Sequence, residues 1–132
     1  MRQSITPIQI RFCDVDKMNH VNNAVYLSYL ELARLNYFKE VSAKIDWYSV
    51  GVIFARMEID YRIPVMLNDK IFVKTHCSRI GNKSFNLTYS MYKIENDKEI
   101  EVATANSVQV CYDYKLNKSK ELPKEWRKWL EL

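Results

Sequence analysis

Apolar positions recur at two different periods along this chain. From Ile5 to Cys13, the residues Ile8, Ile10 and Phe12 take every second position, which predicts a strand with one buried face. Ala24 to Val41 holds neither Gly nor Pro, and Leu27, Leu30, Ala33, Tyr37 and Val41 recur at helical spacing. That spacing predicts about five turns of helix at 3.6 residues per turn. Tyr26, Tyr29, Leu32, Leu35 and Phe38 fill its other sides, so the helix is expected to be buried on most of its surface. After Gly51 the period is two: Met57, Ile59, Tyr61 and Ile63 alternate with Arg56, Glu58, Asp60 and Arg62 as far as Pro64. Three more strands are expected over Lys70–Ile80, Lys83–Ile94 and Ile100–Tyr112, separated by "LNDK", "GN" and "ENDKE". The closing "PKEWRKWLEL" reads as a short amphipathic helix.

One strand, one long apolar helix and four strands in an antiparallel meander satisfy each other if a single curved sheet wraps the helix. The expected class is α+β, a hotdog fold: a long central helix wrapped by a five-stranded antiparallel sheet, with a short C-terminal helix. The 132 residues show no repeat or linker and suit one domain over 1–132. A free edge strand and an exposed sheet face favour pairing with a second copy, so a homodimer or homotetramer is expected.

Composition narrows the function classes. Apolar residues make up 48% and charged residues 27%, which fits a globular chain. No apolar run approaches the roughly 20 residues of a membrane helix, so no membrane insertion is expected. "MRQSITPIQI" has neither a hydrophobic signal core nor a small-residue cleavage site. Cys13, Cys77 and Cys111 lie far apart with no CxxC pair, which argues against a zinc site or a disulfide framework and fits a reducing cytoplasm. The net charge of +4 is scattered rather than gathered into a stripe, so nucleic acid is not an expected partner. A mild positive balance suits an anionic small molecule.

The chemistry concentrates in "RFCDVDKMNHVNNAVYL", residues 11 to 27, where the first strand gives way to the helix. Asn22 or Asn23 is placed to cap the helix N-terminus. Capping leaves Asp14, Asp16, Asn19 and His20 unexplained. The free N–H groups of a helix N-terminus carry roughly half a positive charge and attract anions or a developing oxyanion. A carboxylate held beside them and next to an apolar cavity would act as base or nucleophile on a bound carbonyl.

At these residues the sequence resembles the 4-hydroxybenzoyl-CoA thioesterase-like acyl-CoA thioesterases. Their pattern Asp-x-x-x-His-Val-Asn-Asn-x-x-Tyr is met by Asp16, His20, Val21, Asn22, Asn23 and Tyr26. The order of elements carries the resemblance over essentially the full length. It implies hydrolysis of an acyl-CoA to a carboxylic acid and coenzyme A, with no metal and no cofactor, since coenzyme A is part of the substrate. It also implies that Asp16, rather than Asp14, is the catalytic carboxylate and that the Asn23 backbone N–H is the oxyanion donor. His20 lies beside them as an acid or base, or as the group that holds the loop. Asn19 stands where many members carry glycine, and Asn tolerates a positive φ. Some members of the wider fold use a glutamate on the helix, and Glu31 ranks behind Asp16 for that role. The family places basic or polar residues near "GNKSF" against the coenzyme A phosphates, which points to Lys83, Ser84 and Arg79. Tyr26, Tyr29, Ile53, Phe54 and Met57 are candidates for lining the acyl group.

Plainer readings stand beside these. Asp14 is read as a turn carboxylate, His76 as part of a polar strand face, and Lys83 equally as a solvated turn residue. Neither Cys13 nor Cys111 has a local activating environment. Two other functions fit the same residues: hydrolysis of an acyl group carried on acyl carrier protein, and a non-catalytic module that binds an acyl group.

Overall fold

A computed structural model of the chain describes residues 2–41 and 50–131. The order is β1 (Gln3–Ile8), a 3-10 turn (Phe12–Asp14), α1 (Val25–Val41), β2 (Gly51–Tyr61), β3 (Lys70–Ile80), β4 (Ser84–Glu95), β5 (Lys98–Asp113), β6 (Lys118–Ser119) and α2 (Lys124–Glu131). The strands form one antiparallel sheet in the order β1-β3-β4-β5-β2, with β6 paired to the end of β5. This is the hotdog arrangement expected from the pattern.

The inner face of the sheet carries Val73, Phe85, Leu87, Tyr89, Met91, Ala105 and Cys111, all buried. Against it α1 sets Tyr26, Tyr29, Leu30, Ala33, Tyr37 and Phe38. Phe38 meets Phe85 edge-on at 6.0 Å, and Phe85 meets Trp126 of α2 at 6.5 Å, so one aromatic row ties both helices to the sheet. Asn96 and Asp97 take positive φ in the two-residue turn between β4 and β5, which is the chemistry a tight hairpin asks for.

Four sequence expectations change. β1 stops at Ile8, because the chain turns at Arg11–Asp14 and leaves Phe12 exposed at 83%. The sheet has a sixth strand: Asp113 accepts from the N–H groups of Lys115 and Leu116, and the resulting turn folds Lys118 and Ser119 back on β5. The helix is 17 residues long and is not buried on most of its surface, since Leu27, Leu32 and Leu35 are about half exposed. One sheet covers one side of a helix, and among the described residues no second layer covers the other. The C-terminal helix begins at Lys124, and Leu132 lies outside the described residues.

Candidate active site

The loop between β1 and α1 is built around two aspartates with opposite surroundings. Asp14 is 1% exposed and fully engaged. Its Oδ1 accepts from the Arg11 guanidinium at 2.9 Å, and its Oδ2 accepts from the Arg11 N–H at 2.9 Å and the Tyr29 hydroxyl at 2.6 Å. Burial opposes its ionisation, but the Tyr29 and Arg11 hydrogen bonds outweigh burial and bring its carboxyl down to about 2. The Asp14 carbonyl accepts from the Asn22 N–H at 2.8 Å, so this aspartate also ties the loop to the helix start.

Asp16 is exposed and takes no part in that clamp. Its Oδ1 accepts from the N–H groups of Met18, at 2.9 Å, and His20, at 3.3 Å. The Asp16 N–H donates to the His20 carbonyl at 2.9 Å, closing a tight loop whose last corner is Asn19 at φ 63. Asparagine tolerates that left-handed conformation better than most residues do. His20 therefore holds Asp16 through its backbone, which leaves the imidazole for the cleft.

At the start of α1, Asn22 is the cap: its Oδ1 accepts from the Ala24 N–H at 2.9 Å, and its carbonyl accepts from Val25. The Asn23 N–H, between these two bonded groups, has no acceptor among the described residues. Tyr61 at the end of β2 donates to the Asn23 carbonyl at 3.0 Å and packs edge-on against Tyr26 at 4.9 Å. Together these groups wall a cleft of about 270 Å³ lined by His20, Val21, Asn23, Tyr26, Tyr61, Arg62, Ile63 and Pro64. It combines an unpaired N–H at a helix end, an imidazole and apolar walls, with the Asp16 loop bonded directly behind His20. Such a constellation suits attack on a carbonyl.

The profile of the thioesterase-like superfamily matches residues 10–130. The long-chain acyl-CoA thioesterase FadM of Escherichia coli strain K12 is 32% identical over 129 residues, covering 96% of each chain. The chain belongs to the thioesterase-like superfamily. It is a thioester hydrolase. A thioesterase of Thermus thermophilus, complexed with coenzyme A and Zn, matches at TM-score 0.82 and 32% identity over 97% of both chains. A mutant of 4-hydroxybenzoyl CoA thioesterase complexed with 4-hydroxybenzoyl CoA matches at TM-score 0.89 over 98% of this chain and 99% of that one. At 18% identity this second likeness speaks to the fold alone.

Seen as a thioesterase, the chain gathers only part of the expected site in one place. His20, Asn23 and Tyr26 line the cleft, Asn22 caps the helix beside it, and Asp16 sits exposed on the adjoining loop, bonded to the His20 backbone N–H. Phe54 lines a separate cavity further along α1. Tyr29 is drawn to Asp14 instead of an acyl group. Arg79, Lys83 and Ser84 sit around the β3–β4 turn, which α2 clamps through Arg127 donating to the Gly81 carbonyl at 2.8 Å. In the β5 register Ser84 pairs with Val110 while Tyr61 pairs with Ala103, so that turn lies at the opposite end of the sheet from the cleft.

Tyr61, Arg62, Ile63 and Pro64 were not singled out from the sequence as site residues. Their only local signal was the end of the alternating run at a proline. Among the described residues no group of three or more His, Cys, Asp or Glu side chains could hold a metal ion. Burial pushes the Cys111 thiol up to about 11, away from the thiolate range. Among the described residues no helix is long and apolar enough to cross a membrane.

Proposed function

We propose that this domain, over 1–132, hydrolyses acyl-CoA thioesters to a carboxylic acid and coenzyme A at the cleft beside the start of α1. One observation carries the reading: the Asn23 N–H is unpaired at the wall of a cleft whose adjoining loop fixes Asp16 by two backbone bonds. Asp16 attacks the thioester carbonyl and expels the coenzyme A thiolate, leaving an anhydride that water cleaves to the carboxylic acid and free Asp16, or it takes a proton from the water that attacks the carbonyl directly. In both routes negative charge grows on the carbonyl oxygen, where the Asn23 N–H stabilises it; losing such a donor typically costs about 3 kcal/mol of barrier. The Tyr61 hydroxyl and the Asn22 cap hold Asn23 in place before substrate arrives. The leaving thiolate takes a proton from water or from the His20 imidazole. Coenzyme A enters as substrate, and the steps draw only on the chain's own groups and water. Similarity to FadM and to the coenzyme A complex of the Thermus protein supports the choice of substrate. We place the protein in the cytoplasm.

The reading includes a homodimer. β2 is an 11-residue edge strand with Ile53 and Phe54 exposed, and α1 shows Leu27 and Leu35 on one stripe. An uncovered edge of that length and polarity invites pairing with a copy of itself. A two-fold axis through β2 reverses the strand direction. It would carry the β3–β4 turn of the second copy, with Lys83 and Ser84, toward the end where the first copy has its cleft.

Release of free thiol from a panel of acyl-CoAs of graded chain length, alongside matching acyl-carrier-protein thioesters, tests the assignment. Turnover of acyl-CoAs supports it. Turnover of the carrier-protein thioesters alone would replace coenzyme A as the carrier. Light scattering should give at least twice the chain's own 15.8 kDa, and an active monomer would remove the shared-site arrangement.

A further inference from the structure

The segment that follows β2 grips the Asp16 loop from outside. The N–H groups of Arg62 and Ile63 both donate to the Val102 carbonyl, at 2.9 and 3.1 Å. Pro64 has no N–H with which to continue that pairing. Beyond it the chain takes a new neighbour. The Val65 carbonyl accepts from the Val21 N–H at 2.7 Å, and Met66 stands opposite His20 as an antiparallel pair. Val65 is fully buried at this junction.

Residues 20–22 are paired on their other side as well. The Asp16 N–H donates to the His20 carbonyl at 2.9 Å and the Asn22 N–H to the Asp14 carbonyl at 2.8 Å, with Val15 opposite Val21. Three short stretches, 14–16, 20–22 and 65–66, therefore form a small ladder of their own, with 20–22 in the middle. The His20 N–H takes no part in its rungs and donates to Oδ1 of Asp16 at 3.3 Å. Where the middle stretch sits, the Asp16 carboxylate follows.

The outer stretch of this ladder depends on Asp69. Its Oδ2 accepts from the Met66 N–H at 2.8 Å, and its own N–H donates to the Met66 carbonyl at 3.1 Å. Both backbone polar groups of Met66 are thus taken by one residue, in a tight turn over 66–69 just ahead of β3. A short carboxylate that reaches back to a nearby backbone N–H is the chemistry such a turn favours. Met66 is held in place opposite His20 from the Asp69 side.

We propose that Asp69 is a positioning residue for hydrolysis: through Met66, Val65 and residues 20–22 it sets where the Asp16 carboxylate stands relative to the Asn23 N–H. Asp69 is not among the residues that line the cleft, so it acts through its neighbours. The inference deepens the role of Asp16 proposed above and rests on it. Misplacing a reacting group by about 1 Å from a distance costs up to about a hundredfold in rate. The loss falls on the chemical step and leaves coenzyme A binding alone, so it appears in kcat and spares KM.

Burial, and to a smaller degree the Asp69 charge, raise the Tyr26 hydroxyl above its ordinary value, so the hydrogen bond of Asp69 has to be separated from its charge. Asp69→Asn keeps an accepting oxygen at the same reach and removes the charge. Asp69→Glu keeps the charge and moves the acceptor by one methylene. With one acyl-CoA, and each variant shown to be folded by circular dichroism, Asp69→Asn should keep kcat within about threefold of the wild type. Asp69→Glu should lose about ten- to a hundredfold in kcat with KM within about twofold. In an Asp16→Asn background the same Asp69→Glu change should cost less than about twofold more, because the carboxylate it positions is gone. Asp69→Ala, which removes both acceptor and charge, takes the place of Asp69→Glu if that variant does not fold. An unchanged kcat in the displaced-acceptor variant, an equal loss in Asp69→Asn, a change in KM alone, or a full further loss in the Asp16→Asn background would overturn the inference and leave hydrolysis by Asp16 standing. Wild-type activity in Asp16→Asn itself would instead remove the reading on which it rests.

Discussion

The Tyr29 hydroxyl donates a 2.6 Å hydrogen bond to Oδ2 of Asp14, so the second turn of α1 grips the loop that presents Asp16. Both residues are buried. Tyr29→Phe removes the donor, and Asp14 loses one of the groups that make its burial tolerable. The expected cost is about 1 to 3 kcal/mol of stability, seen as a lower urea midpoint at unchanged slope. Hydrolysis by the folded variant should stay within about tenfold of the wild type, since both groups are spent on each other and neither is proposed to act on the thioester. A deep loss of kcat at full stability would bring the Asp14–Tyr29 pair into the chemistry.

The same carboxylate sets an acid limit. Its pKa falls from an ordinary 3.8 to about 2 on folding, so the unfolded chain binds the proton more readily. The stability this contributes is fully present above about pH 4 and is lost as pH falls toward 2, amounting to about 2 kcal/mol for a shift of this size. Urea titrations between pH 5 and 2 should show this loss in the wild type and a flatter profile in Asp14→Asn. Parallel profiles for the two proteins would contradict the assignment.

Much of this was legible in the residues, and what was missed has physical causes. β3, β4 and β5 are two-period runs bounded by Asn, Asp and Gly, and their ends fell within one or two residues of the expected places. The motif from Asp16 to Tyr26 placed the helix start because capping is local chemistry. Phe12 misled, because Asp14 pulls the chain out of β1 before the alternation ends. The exposed stripe of α1 was invisible: Leu27, Leu32 and Leu35 look like core in a sequence, and only the single layer of sheet shows that none of the described residues covers them. Tyr61 was missed for a related reason, since strand pairing, which is long-range, brings it to the cleft.

Lys83 tests the reach of the β3–β4 turn. Phosphate contacts far from the reacting carbonyl hold substrate and transition state alike, so Lys83→Ala should raise KM for an acyl-CoA several-fold with kcat little changed. The effect should shrink with added salt, because an exposed charge is screened beyond about 8 Å at physiological ionic strength. A short thioester without the nucleotide should not respond. An unchanged KM at low salt would make Lys83 a solvated turn residue and remove the phosphate role from the turn carried across the dimer.

Asp14 and Asp16 are separated by a single residue, and the proposed chemistry belongs to only one of them. Asp16→Asn keeps the shape and both backbone bonds of the side chain while removing its charge, whereas Asp14→Asn removes the charge of the clamped carboxylate and turns one of its two accepting oxygens into a donor. Steady-state hydrolysis of one acyl-CoA by the two folded variants, measured side by side, decides between them. Asp16→Asn should lose at least about a thousandfold in kcat with a circular dichroism spectrum and melting temperature near the wild type. Asp14→Asn should melt earlier yet keep most of its kcat where it is folded. Equal losses in kcat, or a deeper loss in Asp14→Asn, would contradict the assignment of Asp16 as the carboxylate that acts on the thioester.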